Sequence, residues 1–191
     1  MKAVVLNGGV EGDDVLDTVD RVIADELASV GWEVHPFILR NMEIHHCVGC
    51  FGCWIQTPGV CIIDDAARDI AGEVIESDLA VFLTPVTFGG YSSELKKAVD
   101  RLICLVSPFF VKIAGEIHHR PRYEQYPRLM GVGVLPGIDQ ESERIFTTLV
   151  GRNAINLHSP AHVAGVVLGG QSLDKIRENI QALLAAVGVK Q

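Results

Sequence analysis

Four of the chain's five cysteines lie close together in CVGCFGCWIQTPGVC, from Cys47 to Cys61, with the spacing C-x2-C-x2-C-x7-C. Thiolates this close in sequence suit a cubane iron–sulfur cluster, because three reach three corners and the fourth arrives from farther along. Zinc sites more often pair two C-x2-C knuckles that are well separated. Disulfides are rare where the cytosol keeps thiols reduced. Four uses stay open for Cys47, Cys50, Cys53 and Cys61: a [4Fe-4S] cluster, packing with incidental redox chemistry, zinc, or disulfides. Cys104, on the apolar side of a predicted helix, reads as a buried free thiol. The pairs His45–His46 and His118–His119 are weak metal candidates, because adjacent side chains on an extended segment point apart. Arg120, Arg122 and Tyr123 offer either a grip on nicotinamide phosphates or an interface loop. Trp54 reads as a core or subunit contact.

The elements that must hold these residues alternate between two periods. KAVVLNG is a short buried strand, and Val15, Leu16, Val19, Val22, Ile23, Leu27 and Val30 then recur at helical spacing up to Gly31. WEVHPFIL is the second strand. The cysteine segment, 41–63, follows as an irregular loop, and Asp64 or Asp65 caps the helix after it. DLAVFLTPV is apolar almost throughout, as a parallel strand covered on both faces should be. Ser92 or Ser93 caps the third helix. RLMGVGVLP and HVAGVVLGG are the fourth and fifth strands, with a helix from about Glu141 to Gly151 between them. Ser172 opens the last helix and Gly188 closes it. Strands alternating with helices predict one doubly wound α/β domain over 1–191 with a five-stranded parallel sheet. Residues 107–127, rich in Pro, His and Arg, are expected to form a lid or an oligomer contact.

Bulk composition narrows the function. The chain has 191 residues, 48% hydrophobic and 21% charged, with a formal net charge of -8 and no basic block. That disfavours a nucleic-acid or anionic-membrane surface, which needs clustered Lys and Arg. No stretch approaches the roughly 18 apolar residues of a membrane span, and the N-terminus does not resemble a signal peptide. A cytoplasmic protein is expected. In an open parallel sheet, ligands bind beyond the carboxyl ends of the strands, where the winding reverses. The loops at 7–14, 84–93 and 135–139 are therefore the candidate site, and the cysteine loop is expected on the same rim.

CVGCFGCWIQTPGVCIIDD followed by LTPVTFGGYSSELKKAVDRL resembles the flavodoxin-like NADPH-dependent FMN reductases, closest to the branch that includes the iron–sulfur flavoproteins. The resemblance runs from Met1 to about Asp139. It implies a flavodoxin-like fold with the strand order 2-1-3-4-5, bound FMN, NAD(P)H as a transient donor, and homodimers or homotetramers with flavin sites at subunit boundaries. It places Thr84, Pro85, Val86, Thr87, Phe88 and Gly89 against the flavin, and Asn7 and Gly8 in the phosphate loop. It also implies a [4Fe-4S] cluster on the compact cysteine motif. The chain lacks a G-x-G-x-x-G loop, so a nicotinamide would dock over the flavin and not in a Rossmann site.

The first loop departs from the family's Gly-Ser-Pro-Arg pattern. Gly9, Val10 and Glu11 follow Gly8, and then Gly12, Asp13 and Asp14, the last two also placed to cap the first helix. A carboxylate 4 Å from a phosphate charge costs ~1 kcal/mol in water and ~4 kcal/mol at an effective dielectric near 20. The expected function is a flavin-dependent oxidoreductase or electron-transfer protein. The alternative is a binding or assembly protein with a degenerate phosphate site and no cofactor.

Overall fold

Apolar strands of uneven length alternate with amphipathic helices to build a parallel sheet covered on both faces. In chain order the elements are β1 (Lys2–Asn7), α1 (Asp14–Ser29), β2 (Glu33–Ile38), α2 (Gly52–Ile55), α3 (Ala66–Glu76), β3 (Leu79–Pro85) and α4 (Ser93–Arg101). They continue with β4 (Val106–Ile113), β5 (Glu116–Pro121), β6 (Arg128–Leu135), α5 (Gln140–Asn156), β7 (His162–Leu168) and α6 (Leu173–Ala186). The structure, a computed structural model, describes residues 1–190; Gln191, the last residue of the expected domain, lies outside them.

The sheet order is β2-β1-β3-β6-β7, with every neighbouring pair parallel. Counting its own strands alone, this is the expected 2-1-3-4-5. Pro36 is tolerated because β2 is an edge strand, where a missing N–H costs no ladder bond. Alternate residues of β1 and β3 feed two separate cores. Ala3, Val5, Val81 and Leu83 pack with α1 and α6, whereas Val4, Leu6, Ala80 and Phe82 pack with α3, α4 and α5. The expected caps form: Asp13, Asp65, Ser92 and Ser172 each accept a hydrogen bond from a backbone N–H in the first turn of the helix that follows. Among the described residues no helix is long and apolar enough to cross a membrane.

Three parts of the chain differ from the expected layout. Residues 107–127, expected as a lid or an oligomer contact, carry regular structure: β4 and β5 pair as an antiparallel hairpin outside the main sheet. Tyr126 Oη donates to the Leu105 carbonyl at 2.6 Å and pins its base. Its outer surface exposes Phe109, Phe110 and Ile117. The cysteine segment does not stay on the carboxyl rim either. It leaves β2 there but descends the flank of α3 and α4. Trp54 Nε1 donates to the Val106 carbonyl at 2.9 Å, and Arg101, at the far end of α4, donates to the His45 carbonyl at 2.8 Å. The helix expected over 141–151 is longer, ending at Asn156, because Phe146, Val150 and Ala154 continue one buried stripe.

Candidate active site at the carboxyl edge

The loop after β1 is pressed between α1 and α4. A Cβ on Gly8 would lie 2.6 Å from Leu95 Cβ, and one on Gly9 would lie 2.7 Å from Leu16 Cδ2, so both positions need glycine. Asn7 is fully buried: its Nδ2 donates to Asp20 Oδ2 at 2.8 Å and its Oδ1 accepts from Gly9 N at 2.9 Å. Burial raises the Asp20 carboxyl's pKa, against the opposing Asn7 bond. Ser92 joins the two rim loops, with its Oγ donating to Gly8 O at 2.6 Å and its N–H to Thr84 Oγ1 at 2.9 Å. Asn7, Gly8 and Thr84, expected to touch the cofactor, therefore build the loops and do not face the rim. Ser92 was legible as a cap but not as this cross-link.

What faces outward at this loop is a row of donors. No acceptor among the described residues takes the N–H of Val10, Glu11 or Gly12. Asp13 is occupied capping α1 through Leu16 N at 3.1 Å. A cation arrives from an unexpected place: Arg40, in the 3-10 turn after β2, lies 3.4 Å from where a Gly9 Cβ would be. It is held by a bidentate pair with Asp17 at 3.0 and 2.9 Å. Sequence reasoning missed Arg40 because the family's own arginine belongs to the loop itself. Two of the loop's acidic neighbours are thus engaged, while Glu11 and Asp14 stay exposed.

The loop after β3 is a tight turn. Thr87 and Gly90 exchange backbone hydrogen bonds at 3.0 and 2.9 Å, and the residues between them, Phe88 and Gly89, have φ of +51° and +75°. Both central residues being left-handed is the type I′ pattern. Gly89 suits it; a Cβ there would also meet Ile145 Cβ at 2.7 Å. Phe88 does not. A left-handed non-glycine residue costs roughly 1–2 kcal/mol, and this one is 98% exposed at the turn's tip. The strained backbone thus holds an exposed ring at the carboxyl edge. Val86 packs into the core beneath, and Tyr91 lies edge-on between Phe82 and Phe146, its hydroxyl accepting from Asn153 at 3.1 Å. Burial pushes the Tyr91 phenol well above its ordinary pKa, so it is no acid at neutral pH. Val10 and Ile138 complete an exposed apolar shelf along the rim.

The second feature is a hollow of about 70 Å³ on the flank, lined by Cys47, Cys50, Cys53 and Cys61 together with Trp54, Ile63, Arg101 and Ile103. All five cysteines are free thiols, which removes the disulfide alternative from this structure. Burial, then the neighbouring Cys61, Cys47 and Cys50, raises the Cys53 thiol's pKa. Yet among the described residues no three Cys, His, Asp or Glu side chains stand close enough to hold one metal ion. Four sulfurs on one zinc would be roughly 3.8 Å apart, from a Zn–S bond of about 2.3 Å. The four cysteines border one hollow without forming a metal-binding group among the described residues, for zinc or for a cluster.

Arg101 lies under this hollow, its side chain 1% exposed and paired with Asp65 through both terminal nitrogens at 2.9 Å. Burial alone would raise the Asp65 carboxyl; the hydrogen bonds from Arg101 and from the His45 and Ala67 amides outweigh it and hold the pKa at about 2. Burial pushes the Cys104 thiol up to about 12, consistent with the inert thiol expected. Arg122 donates to the Cys104 and Val106 carbonyls, and His118 bonds Asn156 and Glu116. Both fasten the hairpin, so Arg122, one of the three residues open to a nicotinamide grip or an interface loop, is engaged by carbonyls of its own chain.

Comparison with known proteins gives a consistent pattern. A family model described as NADPH-dependent FMN reductase matches residues 1–121. An iron–sulfur flavoprotein of Methanocaldococcus jannaschii is 30% identical over 101 residues, 53% of this chain and 51% of that protein. One from Archaeoglobus fulgidus is 31% identical over 101 residues, 53% of this chain and 48% of the other. The match thus spans about half the length of these relatives. Among solved structures, an NAD(P)H:quinone oxidoreductase from Methanothermobacter marburgensis superposes with a TM-score of 0.72 at 14% identity, covering 100% of this chain and 99% of that one. An FMN-dependent NADH-azoreductase from Bacillus anthracis, in complex with FMN, gives 0.67 at 13%, covering 98% of each. At those identities the likeness is one of fold.

Proposed function

Because the chain belongs to the NADPH-dependent FMN reductase family, we propose that it is a flavin-dependent oxidoreductase holding FMN on the carboxyl-edge shelf. The observation that carries this is the pairing, on one rim, of unclaimed amides and a cation with a strained, exposed aromatic ring. The amides of Val10, Glu11 and Gly12 donate to the phosphate, and the N-terminus of α1 adds its partial positive charge. Arg40 supplies the cation, with Asp17 fixing its guanidinium. Phe88 offers its face to the isoalloxazine, and the Thr87 and Gly89 backbone approaches the ring edge. FMN, when bound, supplies the hydride and single-electron chemistry; the protein orients it and keeps its surroundings apolar. NAD(P)H docks transiently over the ring, and a small molecule or a protein takes the electrons.

The four-cysteine hollow is proposed to hold a [4Fe-4S] cluster, a reading that rests on the cysteine spacing and on the relatives' names. It stands off the rim by about the length of α4, nine residues or roughly 13 Å. The exposed Phe109, Phe110 and Ile117 of the hairpin suit burial in a homodimer or homotetramer. A cytoplasmic location fits all of this.

The cofactor-free reading draws on Glu11 and Asp14, still exposed beside the loop. An anaerobic visible spectrum with flavin, iron and sulfide contents separates the two. Stoichiometric flavin and NADPH-dependent bleaching of its bands are expected. Protein that takes up neither FMN nor riboflavin would establish the binding-protein reading instead.

A further inference from the structure

Away from the carboxyl edge, a cleft of about 510 Å³ opens where α4, α5, the hairpin and the cysteine segment meet. Pockets that hold small molecules run from roughly 300 to 1,000 Å³. Val99, Leu102, Ile103 and Leu157 make much of the lining apolar. Asp100 in its wall lies about 12 Å along α4 from the Ser92 cap, so the cleft is separate from the FMN shelf. Its polar groups are mostly acceptors. His119 Nδ1 faces the Ser107 carbonyl at 2.9 Å and so carries the proton, which leaves Nε2 of the neutral ring as an acceptor. The ring is backed by Trp54 and Phe110, with centroids 4.8 and 4.9 Å away. Asn153 donates through Nδ2 to Tyr91 Oη and the Leu149 carbonyl at 3.1 and 3.0 Å, and its Oδ1 has no donor among the described residues. Asp100 adds a carboxylate, of which the exposed Lys96 takes only Oδ1. Asn156 meets His118 with one end of its amide, leaving the other end free. Among the described residues no Lys or Arg lines the cleft.

We propose that this cleft binds a planar, amino-substituted heteroaromatic molecule, neutral or cationic and without phosphate, of the size of an aminopurine base or an aminoquinoline. Asn153 Oδ1, His119 Nε2 and Asp100 Oδ2 all accept, so they select a ligand that brings N–H donors, and a ligand without them leaves these acceptors unanswered. The free end of the Asn156 amide gives a ring nitrogen its one fixed partner. The apolar lining and the braced imidazole suit a flat ring. A single carboxylate with no lining cation favours positive charge and repels a phosphate or carboxylate on the ligand. The bonds to Tyr91, Leu149 and Ser107 orient Asn153 and His119 before anything binds, which lowers the cost of ordering them. Binding here is non-covalent and does not rest on the FMN reading.

Isothermal calorimetry of the full chain tests this with 4-aminoquinoline, a cation at neutral pH, against quinoline-4-carboxylate, an anion of similar size. The amine is expected to bind saturably at one site, at least tenfold tighter than the carboxylate. Asp100→Asn should weaken the amine about fivefold, the value of one solvent-screened charge pair. His119→Phe keeps a ring between Trp54 and Phe110 but removes the Nε2 acceptor, and should weaken it about threefold. Asp174→Asn removes an exposed carboxylate on α6, across the sheet from the cleft, and should stay within twofold. Saturating FMN should also leave the amine's affinity within twofold. If His119→Phe does not fold, Asp100→Asn decides: an affinity within twofold of wild type overturns the inference. So does an absence of saturable binding up to millimolar amine, equal binding of the two quinolines, an equal loss in Asp174→Asn, or displacement of the amine by FMN. Protein that binds the amine in the cleft but takes up no FMN keeps this inference and removes the flavin reading alone.

Discussion

Arg40→Gln is expected to weaken FMN binding while sparing riboflavin. Arg40 is three-quarters buried at its side chain, 22% exposed, and its charge is shared with Asp17. A cation about 4 Å from a phosphate charge is worth ~1 kcal/mol in water and ~4 kcal/mol at an effective dielectric near 20. Partial exposure and the Asp17 pairing bring the expected contribution to about 1–2 kcal/mol, roughly 5- to 30-fold in affinity. Riboflavin lacks the phosphate and should change by less than twofold. Asp17→Asn is the counterpart, removing the anion that competes for the guanidinium, and should tighten FMN. Both effects should shrink in added salt, because the groups are partly solvated. Flavin fluorescence titration of each protein with both ligands is the assay. Equal losses for FMN and riboflavin would show that Arg40 merely holds the loop. No loss for either would place the phosphate elsewhere.

Three further outcomes are expected. Phe88→Gly relieves a left-handed backbone at a side chain that packs against nothing, so thermal stability should rise by up to about 1 kcal/mol, a few degrees, while flavin affinity falls; calorimetry and flavin titration check the two together. Asp65 has its pKa held at about 2, below the unfolded value of 3.8, so it stabilises the fold above pH 4 and loses that contribution as pH falls toward 2. The loss is about 2 kcal/mol, and urea unfolding across that window should show it flattened in Asp65→Asn. Alkylation of metal-free native protein should reach the exposed Cys47 and Cys50 first and Cys104 last, read by mass spectrometry; Cys50→Ala should also abolish iron retention.

How much of this was legible in the sequence follows from the range of each interaction. The parallel strands announced themselves because a strand covered on both faces must be apolar throughout, and β3 is buried from Leu79 to Thr84. The caps at Asp13, Asp65, Ser92 and Ser172 were legible because a cap is a contact between near neighbours. Alternating strands and helices announced a doubly wound parallel sheet, and the flavodoxin-like resemblance implied its 2-1-3-4-5 order. The thiol spacing kept four cysteines near one another in the chain, and the structure lines one hollow with them.

Tertiary structure decided the rest, through contacts between residues far apart in the chain. Arg101 looked like the polar end of a helix; only the approach of Asp65 and the His45 and Ile63 carbonyls makes it a buried cation. That bond set, with Trp54 against Ile103 and Val106, draws the cysteine segment off the rim where topology alone had put it. Arg40 reached the loop after β1 because β2 and β1 are neighbours in space, and nothing in its local spacing says so. The hairpin went unseen because its outward residues are apolar, Phe109, Phe110 and Ile117, so the alternation that marks a half-buried strand is missing. Periodicity reports which face of an element is buried; it carries no information about which distant charge or carbonyl will be waiting there.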